Sequence, residues 1–209
     1  MSLNDHSGSV TTNQRLIEAA ASLLDAGGES AVTIRAVAQA VGMSHNVPYK
    51  HFKDRDALLR AIAIRDFTRL TGVFKEVRLG QAKPRAKLEE ALRLFISYGL
   101  DSPARYRLLF SDPDIAAQAG ELEAAARQSF AEFANLVQEC QIAQEFPDVP
   151  TAELTGLIYA SVHGLIDLQL GGRLRQEKGL SNAHQGVELL MQLLVPVQGA
   201  RERPEVETT

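Results

Sequence analysis

The sequence predicts an all-α fold of about nine helices: an N-terminal three-helix helix-turn-helix domain, a long fourth helix and a C-terminal helical domain. Three observations predict it. Apolar residues recur at i, i+3 or i+4 and i+7 in window after window. Helix caps and Gly/Pro stops separate these windows. No stretch shows the period-2 alternation of a half-buried strand.

The first helix is capped by Thr12 or Asn13. It carries Leu16, Ile17, Ala20, Leu23 and Leu24 on one face and stops at Gly27 and Gly28. Thr33 caps a short second helix with Ile34, Val37, Ala38 and Val41 on its inner side, and Gly42 ends it. Ser44 then caps a third helix reaching about Phe52. Two short helices joined by a three-residue turn containing glycine form a helix-turn-helix. Pro48 lies inside the third helix, where it removes one backbone donor. The expected result is either a helix at modest cost or a displaced, partly 3-10 start. Asp54, with Asp56 in the first turn, opens a long fourth helix to about Val77.

Gly80 to Pro84 is a connector. Beyond it, Lys83–Leu100 presents Leu88, Leu92, Phe95 and Ile96, and a short segment ends near Phe110. Asp112-Pro113-Asp114 reads as a loop. Glu121–Glu145 presents Phe130, Phe133, Leu136 and Val137. The next helix runs from Pro150-Thr151 to about Gln176, and Ser181 caps a last helix reaching Val195-Pro196. The domains expected are therefore 11–57, with the fourth helix over about 54–77 as link, and 81–197. Residues 1–10 and 198–209 are polar and expected to be disordered.

Composition narrows the function. Of 209 residues, 45% are hydrophobic and 23% charged, which excludes wholesale disorder. A single cysteine, Cys140, excludes an intramolecular disulfide and a Cys-based zinc site. No secretory signal pattern opens the chain. The apolar run Leu154–Leu170 is broken by Thr155, Ser161, His163, Asp167 and Gln169, so no membrane span is expected. A cytoplasmic protein is the expectation. The net charge of −4 hides an asymmetry: residues 1–80 hold ten Lys/Arg and eight Asp/Glu, whereas residues 81–209 hold twelve and eighteen. Within Ser30–Lys53 there are three cations, Arg35, Lys50 and Lys53, and no acid. Such a window suits an anionic partner, although three cations in 24 residues also arise by chance.

A helix entering the major groove of DNA reads bases from its N-terminal side chains, here Ser44, His45 and Asn46. Asn pairs bidentately with adenine, and His donates or accepts at base edges. Thr33, the amides at the start of the second helix and Arg35 suit phosphate. Tyr49, Lys50, His51 and Lys53 suit the sugar-phosphate backbone. Each has a rival reading. Tyr49 could be a core aromatic, His45 and His51 could be solvated residues without a role, Asn46 could only start a helix, and Ser44 could only be a cap. Phe52, Val47, Val37 and Ile34 read as the local core.

The run Thr33–Leu59, TIRAVAQAVGMSHNVPYKHFKDRDALL, resembles the DNA-binding segment of the tetracycline-repressor (TetR) family, with the likeness covering residues 12 to about 65. It includes the turn Ala40-Val41-Gly42-Met43-Ser44, the close Tyr49-Lys50-His51-Phe52 and the acid-rich cap before Leu58 and Leu59. The resemblance implies an all-α homodimer whose C-terminal domain holds a small-molecule inducer. Further on, Tyr106–Phe110 and Tyr159–Leu165 are similar to the branch whose C-terminal domain is named for Trp, His and Gly. Here His163 and Gly164 are kept and Tyr159 stands where the tryptophan would be.

The last two helices leave little polar face, which points to a two-fold interface through about 152–176 and 182–196. Candidate pocket residues are Phe95, Tyr98, Phe110, Phe130, Phe133, Tyr159 and His163, each of which could equally be core. The function expected is a ligand-responsive repressor that binds a palindromic double-stranded DNA operator as a homodimer. No cofactor or metal is expected. The alternative is a helical enzyme or small-molecule carrier with a site at His163 and Asp167. No nucleophile signature or phosphate-binding loop is present.

Overall fold

The structure is a computed structural model describing residues 11–116 and 119–196. The termini expected to be disordered, 1–10 and 198–209, lie outside the described residues. Every regular element among the described residues is helical. In chain order they are α1 (Thr12–Gly27), a 3-10 turn (Glu29–Ala31), α2 (Ile34–Ala40), a 3-10 turn (Pro48–Lys50), α3 (Arg55–Leu79), α4 (Pro84–Asp101), α5 (Pro103–Phe110), α6 (Pro113–Ala116), α7 (Glu121–Ile142), α8 (Thr151–Leu170), a 3-10 turn (Gln176–Lys178) and α9 (Ala183–Leu193).

Several boundaries differ from those expected, each for a local reason. Thr11, rather than Thr12 or Asn13, caps α1. Its hydroxyl accepts from the Gln14 amide while Gln14 reaches back to the Thr11 N–H at 2.8 Å, a reciprocal capping box. The expected third helix is absent as an α-helix. Pro48 has no N–H to give the Ser44 carbonyl, so that carbonyl accepts from Val47 at 2.9 Å. Lys50 then bonds Val47 at 3.1 Å and His51 bonds Pro48 at 2.9 Å, the i to i+3 spacing of a 3-10 turn. Ser44 caps no helix, and this 3-10 turn has no side-chain cap. Asp112-Pro113-Asp114, expected as a loop, leads into the single turn α6, with the Asp112 carboxylate accepting from the Ile115 amide. α7 stops at Ile142 because Gln144 takes a positive φ and the Glu145 amide folds back to the Cys140 carbonyl. α8 stops at Leu170, short of Gln176, by the same device: the Arg173 amide bonds the Leu168 carbonyl at 2.7 Å. Asn182, not Ser181, caps α9, which ends at Leu193 rather than at Val195-Pro196.

Compactness groups the chain into two units. One contains residues 1–69 and 101–127; the other contains 70–100 and 128–209. In the first, Leu16, Leu24, Val37, Leu58, Ile62 and Tyr106 are buried, and the Phe110 ring packs edge-on against Phe67 at 5.5 Å. An ion cluster crosses this unit. The almost fully buried carboxylate of Asp66 on α3 takes two bonds from Arg65, at 2.8 and 2.9 Å, and one from Arg105 on α5 at 3.2 Å. Arg105 also grips Asp25 of α1 at 2.9 Å and the Ser102 hydroxyl. In the second unit, Leu88, Leu92, Ile96, Leu136, Val137, Ile158 and Ile166 form the buried set. Arg78 there bonds Glu132 at 2.9 Å, and the carboxylates of Glu132 and Glu139 raise its pKa.

The close approach of α8 and α9 is at Gly186. A Cβ there would lie 2.5 Å from Leu165, so only glycine fits without displacing that side chain. Gly164, expected to mark a close helix approach, is exposed and faces open space among the described residues.

Candidate nucleic-acid interface and ligand site

The interface is built from three local devices. The Thr33 hydroxyl accepts from the Ala36 amide at 3.1 Å and starts α2. At the other end of α2, Gly42 adopts φ +68, a conformation costly for any residue with a Cβ. The Gly42 amide bonds Gln39 at 3.1 Å and the Met43 amide bonds Ala38 at 2.9 Å, so the chain reverses within two residues. The Asp54 carboxylate then accepts from the Ala57 amide at 2.8 Å and opens α3. Arg55 secures the preceding loop through the Val32 and Glu29 carbonyls and the Glu29 carboxylate.

Between these fixed points lies the segment 44–53. Val37, Pro48 and Phe52 are buried and Ile34 nearly so, while Val47 is only half-buried. Pro48 was not among the core residues expected, but its ring is apolar and its missing donor suits an inward place in a 3-10 turn. Thr33, Arg35, Ser44, His45, Asn46, Tyr49, Lys50, His51 and Lys53 are all exposed. Tyr49 is 59% exposed, which removes its reading as a core aromatic. The run thus carries hydrogen-bonding and cationic side chains outward, an apolar anchor inward and no carboxylate between Ser30 and Lys53. Such a surface holds a polyanion by charge and by neutral donors.

The candidate pocket residues separate. Phe110 belongs to the first unit, beside Phe67 and Tyr106. Tyr98 on α4 is half-buried. The other five gather in the second unit. Phe95 of α4 meets the His163 ring edge-on at 5.2 Å, and Tyr159 lies 4.2 Å from His163. Phe130 meets Tyr159 edge-on at 5.4 Å and Phe133 at 6.5 Å. Phe74, missed by the sequence reading, joins them at 6.2 Å from Phe95 and 6.0 Å from Phe133. Its signal was its position on the inner face of the long helix. Burial pushes the His163 imidazole down to about 4 and the Tyr159 phenol upward. Asp167, one turn beyond His163, is exposed. The Cys140 thiol is pushed up to about 12, chiefly by burial and then by Glu145, so it is a poor nucleophile.

The exposed faces of α8 and α9 are apolar. Leu157, Leu168, Leu189 and Leu193 are all more than two-fifths exposed. An open groove runs between the two helices along Ser161, Leu165, Leu168, Gly186, Leu189 and Leu193. No helix among the described residues is long and apolar enough to cross a membrane.

Comparisons with known proteins agree with this division. Residues 16–62 match the family described as "Bacterial regulatory proteins, tetR family". Residues 88–194 match "Tetracyclin repressor-like, C-terminal domain". No curated protein sequence matches significantly. Among solved structures, a protein of unknown function from Rhodococcus sp. RHA1 is 25% identical, with 92% of this chain and 96% of that chain covered and a TM-score of 0.75. A putative transcriptional regulator from Saccharomonospora viridis, in complex with choline, is 20% identical, with coverage of 85% and 93% and a TM-score of 0.67. SmeT, the repressor of a Stenotrophomonas maltophilia multidrug efflux pump, is 14% identical, with coverage of 88% for both chains and a TM-score of 0.61.

Proposed function

Because the chain belongs to the tetracycline-repressor family of bacterial regulatory proteins, we propose that it is a ligand-responsive repressor acting as a homodimer on a palindromic DNA operator. The observation that carries this reading is the exposed acid-free segment Thr33–Lys53, fixed at both ends by caps and anchored by Pro48 and Phe52. In this reading Ser44, His45 and Asn46 face base edges, while Thr33, Arg35, Tyr49, Lys50, His51 and Lys53 hold phosphates. Two copies occupy half-sites about one DNA turn (~34 Å) apart.

The second copy docks on the apolar faces of α8 and α9. Exposed leucines at Leu157, Leu168, Leu189 and Leu193, continuous with an open groove, support this. A small molecule binds the ring cluster of the second unit. Its coupling to the DNA reader, ~1–3 kcal/mol, weakens operator affinity roughly 5- to 150-fold. We also place the chain in the Trp-His-Gly branch, with Tyr159 in the tryptophan's role; its ring stands 4.2 Å from His163. No observation favours the enzyme reading at His163 and Asp167: His163 packs among rings and Asp167 is exposed.

The test is selection of bound fragments from the source genome, followed by gel shift. Retention of a palindromic fragment over random DNA of equal length supports the reading; equal retention of both contradicts it.

A further inference from the structure

The ring cluster also carries information about what it binds. Six rings meet within 4.2–6.5 Å, from Phe74, Phe95, Phe130, Phe133, Tyr159 and His163. Their contacts are tilted or edge-to-face, so ring edges as well as faces point into the cluster. A cage built for a cation would instead present faces, where the negative quadrupole lies. The polar groups here are neutral. Thr155, one turn before Tyr159 on the same stripe of α8, is 1% exposed, and its hydroxyl finds no hydrogen-bond partner among the described residues. Tyr159 adds a phenol and His163 an imidazole. Burial alone shifts both of these groups; no neighbouring charge contributes. A charged ligand would therefore enter an apolar site without a counter-charge, at a cost that uncharged ligands escape. The innermost rings, Phe74, Phe95 and Phe133, are buried, whereas Phe130 and Tyr159 are 43% and 36% exposed and touch each other. They form the side of the cluster nearest water.

We propose that this cluster seats an uncharged aromatic ligand bearing a hydroxyl or carbonyl, which hydrogen-bonds to the Thr155–Tyr159–His163 stripe and enters by displacing the Phe130–Tyr159 ring pair. The inference rests on the reading of the second unit as the ligand sensor and adds the class of ligand. Rotation of two partly exposed rings opens the cluster without moving the buried ones.

The test uses one ring system in three charge states on the full chain at neutral pH: 2-naphthol, naphthalene-2-carboxylate and (2-naphthyl)trimethylammonium. The protein has no tryptophan, so naphthyl emission is read without indole background. The expected result is that 2-naphthol binds at least about ten-fold tighter than either ion, the factor of ~1.4 kcal/mol that partial burial of a charge readily exceeds. Thr155→Val and Tyr159→Phe each weaken naphthol binding about 2- to 12-fold, the worth of one hydrogen bond. Two variants are used so that a folding defect in one does not decide the result. The proposal is overturned if either ion binds as tightly as naphthol, if none of the three binds, or if both variants bind naphthol unchanged. Gel shift on the same preparations separates the two failures: a protein that retains its operator but ignores naphthol has lost only this inference.

Discussion

Replacing Asp66 by alanine should destabilise the protein by about 3 kcal/mol. Asp66 is 1% exposed and anchors two guanidinium groups, from Arg65 on its own helix and from Arg105 on α5. The side chains of those arginines are 20% and 16% exposed. Breaking a buried pair by removing one partner costs roughly 3–5 kcal/mol, because the other charge stays behind uncompensated. Arg105 keeps Asp25 and Ser102, and both arginines reach some water, so the low end applies. With a urea slope of about 2–3 kcal/mol per molar, the midpoint falls by about 1 M. Arg93→Ala is the control. Arg93 bonds Glu90 at 2.6 and 2.7 Å, shorter than any bond to Asp66, but both side chains are largely in water. Solvent screens that pair, so the midpoint should stay in place. Urea unfolding followed by circular dichroism at the helix band reads both variants. Equal midpoints for Asp66→Ala and Arg93→Ala would refute the argument that burial, not bond length, sets the worth of these pairs.

Three further outcomes are expected. Lys50→Ala weakens binding to the operator and to random DNA by the same factor, whereas Asn46→Ala relaxes preference at one base position by ~1–3 kcal/mol; competition gel shifts separate the two, and equal losses for Asn46→Ala remove it as a base reader. Leu189→Glu, on the exposed face of α9, yields monomers in sedimentation and loses high-affinity operator binding while keeping the helical signal; a dimeric Leu189→Glu protein contradicts the assigned interface. The imidazole of His163 titrates near 4 when folded and near 6.5 when unfolded, so the unfolded chain binds the extra proton in between. Stability from this group is complete above about pH 6.5 and declines as pH falls toward 4, by up to about 3 kcal/mol. His163→Phe removes that part of the acid sensitivity; an unchanged pH profile of the unfolding midpoint counts against a buried neutral imidazole.

The helices were legible where caps and apolar periodicity agree. Thr33, Gly42 and Asp54 perform the local tasks their residue types suggest, and the all-α class follows from the spacing of Leu16, Ala20, Leu24 and their counterparts. Misread boundaries share one cause. Helix ends are set by backbone bonds that residue type specifies weakly, such as the reversal at Gln144, a residue rarely expected at positive φ. Pro48 was legible as a problem but not as its solution, because the choice between a damaged α-helix and a 3-10 turn depends on burial of its ring. At the interface the polar residue types were sufficient, since exposure followed from the pattern around Pro48 and Phe52. The pocket was harder. Aromatic residues read alike whether they pack or bind, and no local signal separated Phe110 from Phe130 or pointed to Phe74. The ion cluster of Asp25, Asp66 and Arg105 links residues up to 80 positions apart, beyond any local pattern.

The account turns on a polyanion held by an acid-free segment presented twice. Arg35, Lys50 and Lys53 from each of two copies make six cations at the phosphates. The decisive measurement is the salt dependence of operator binding. A log–log slope near −5, from about −0.9 per neutralised phosphate, is predicted for the dimer, falling by about 2 when Lys50→Ala removes one cation from each copy. A slope near zero, or no duplex bound at low ionic strength, would contradict it.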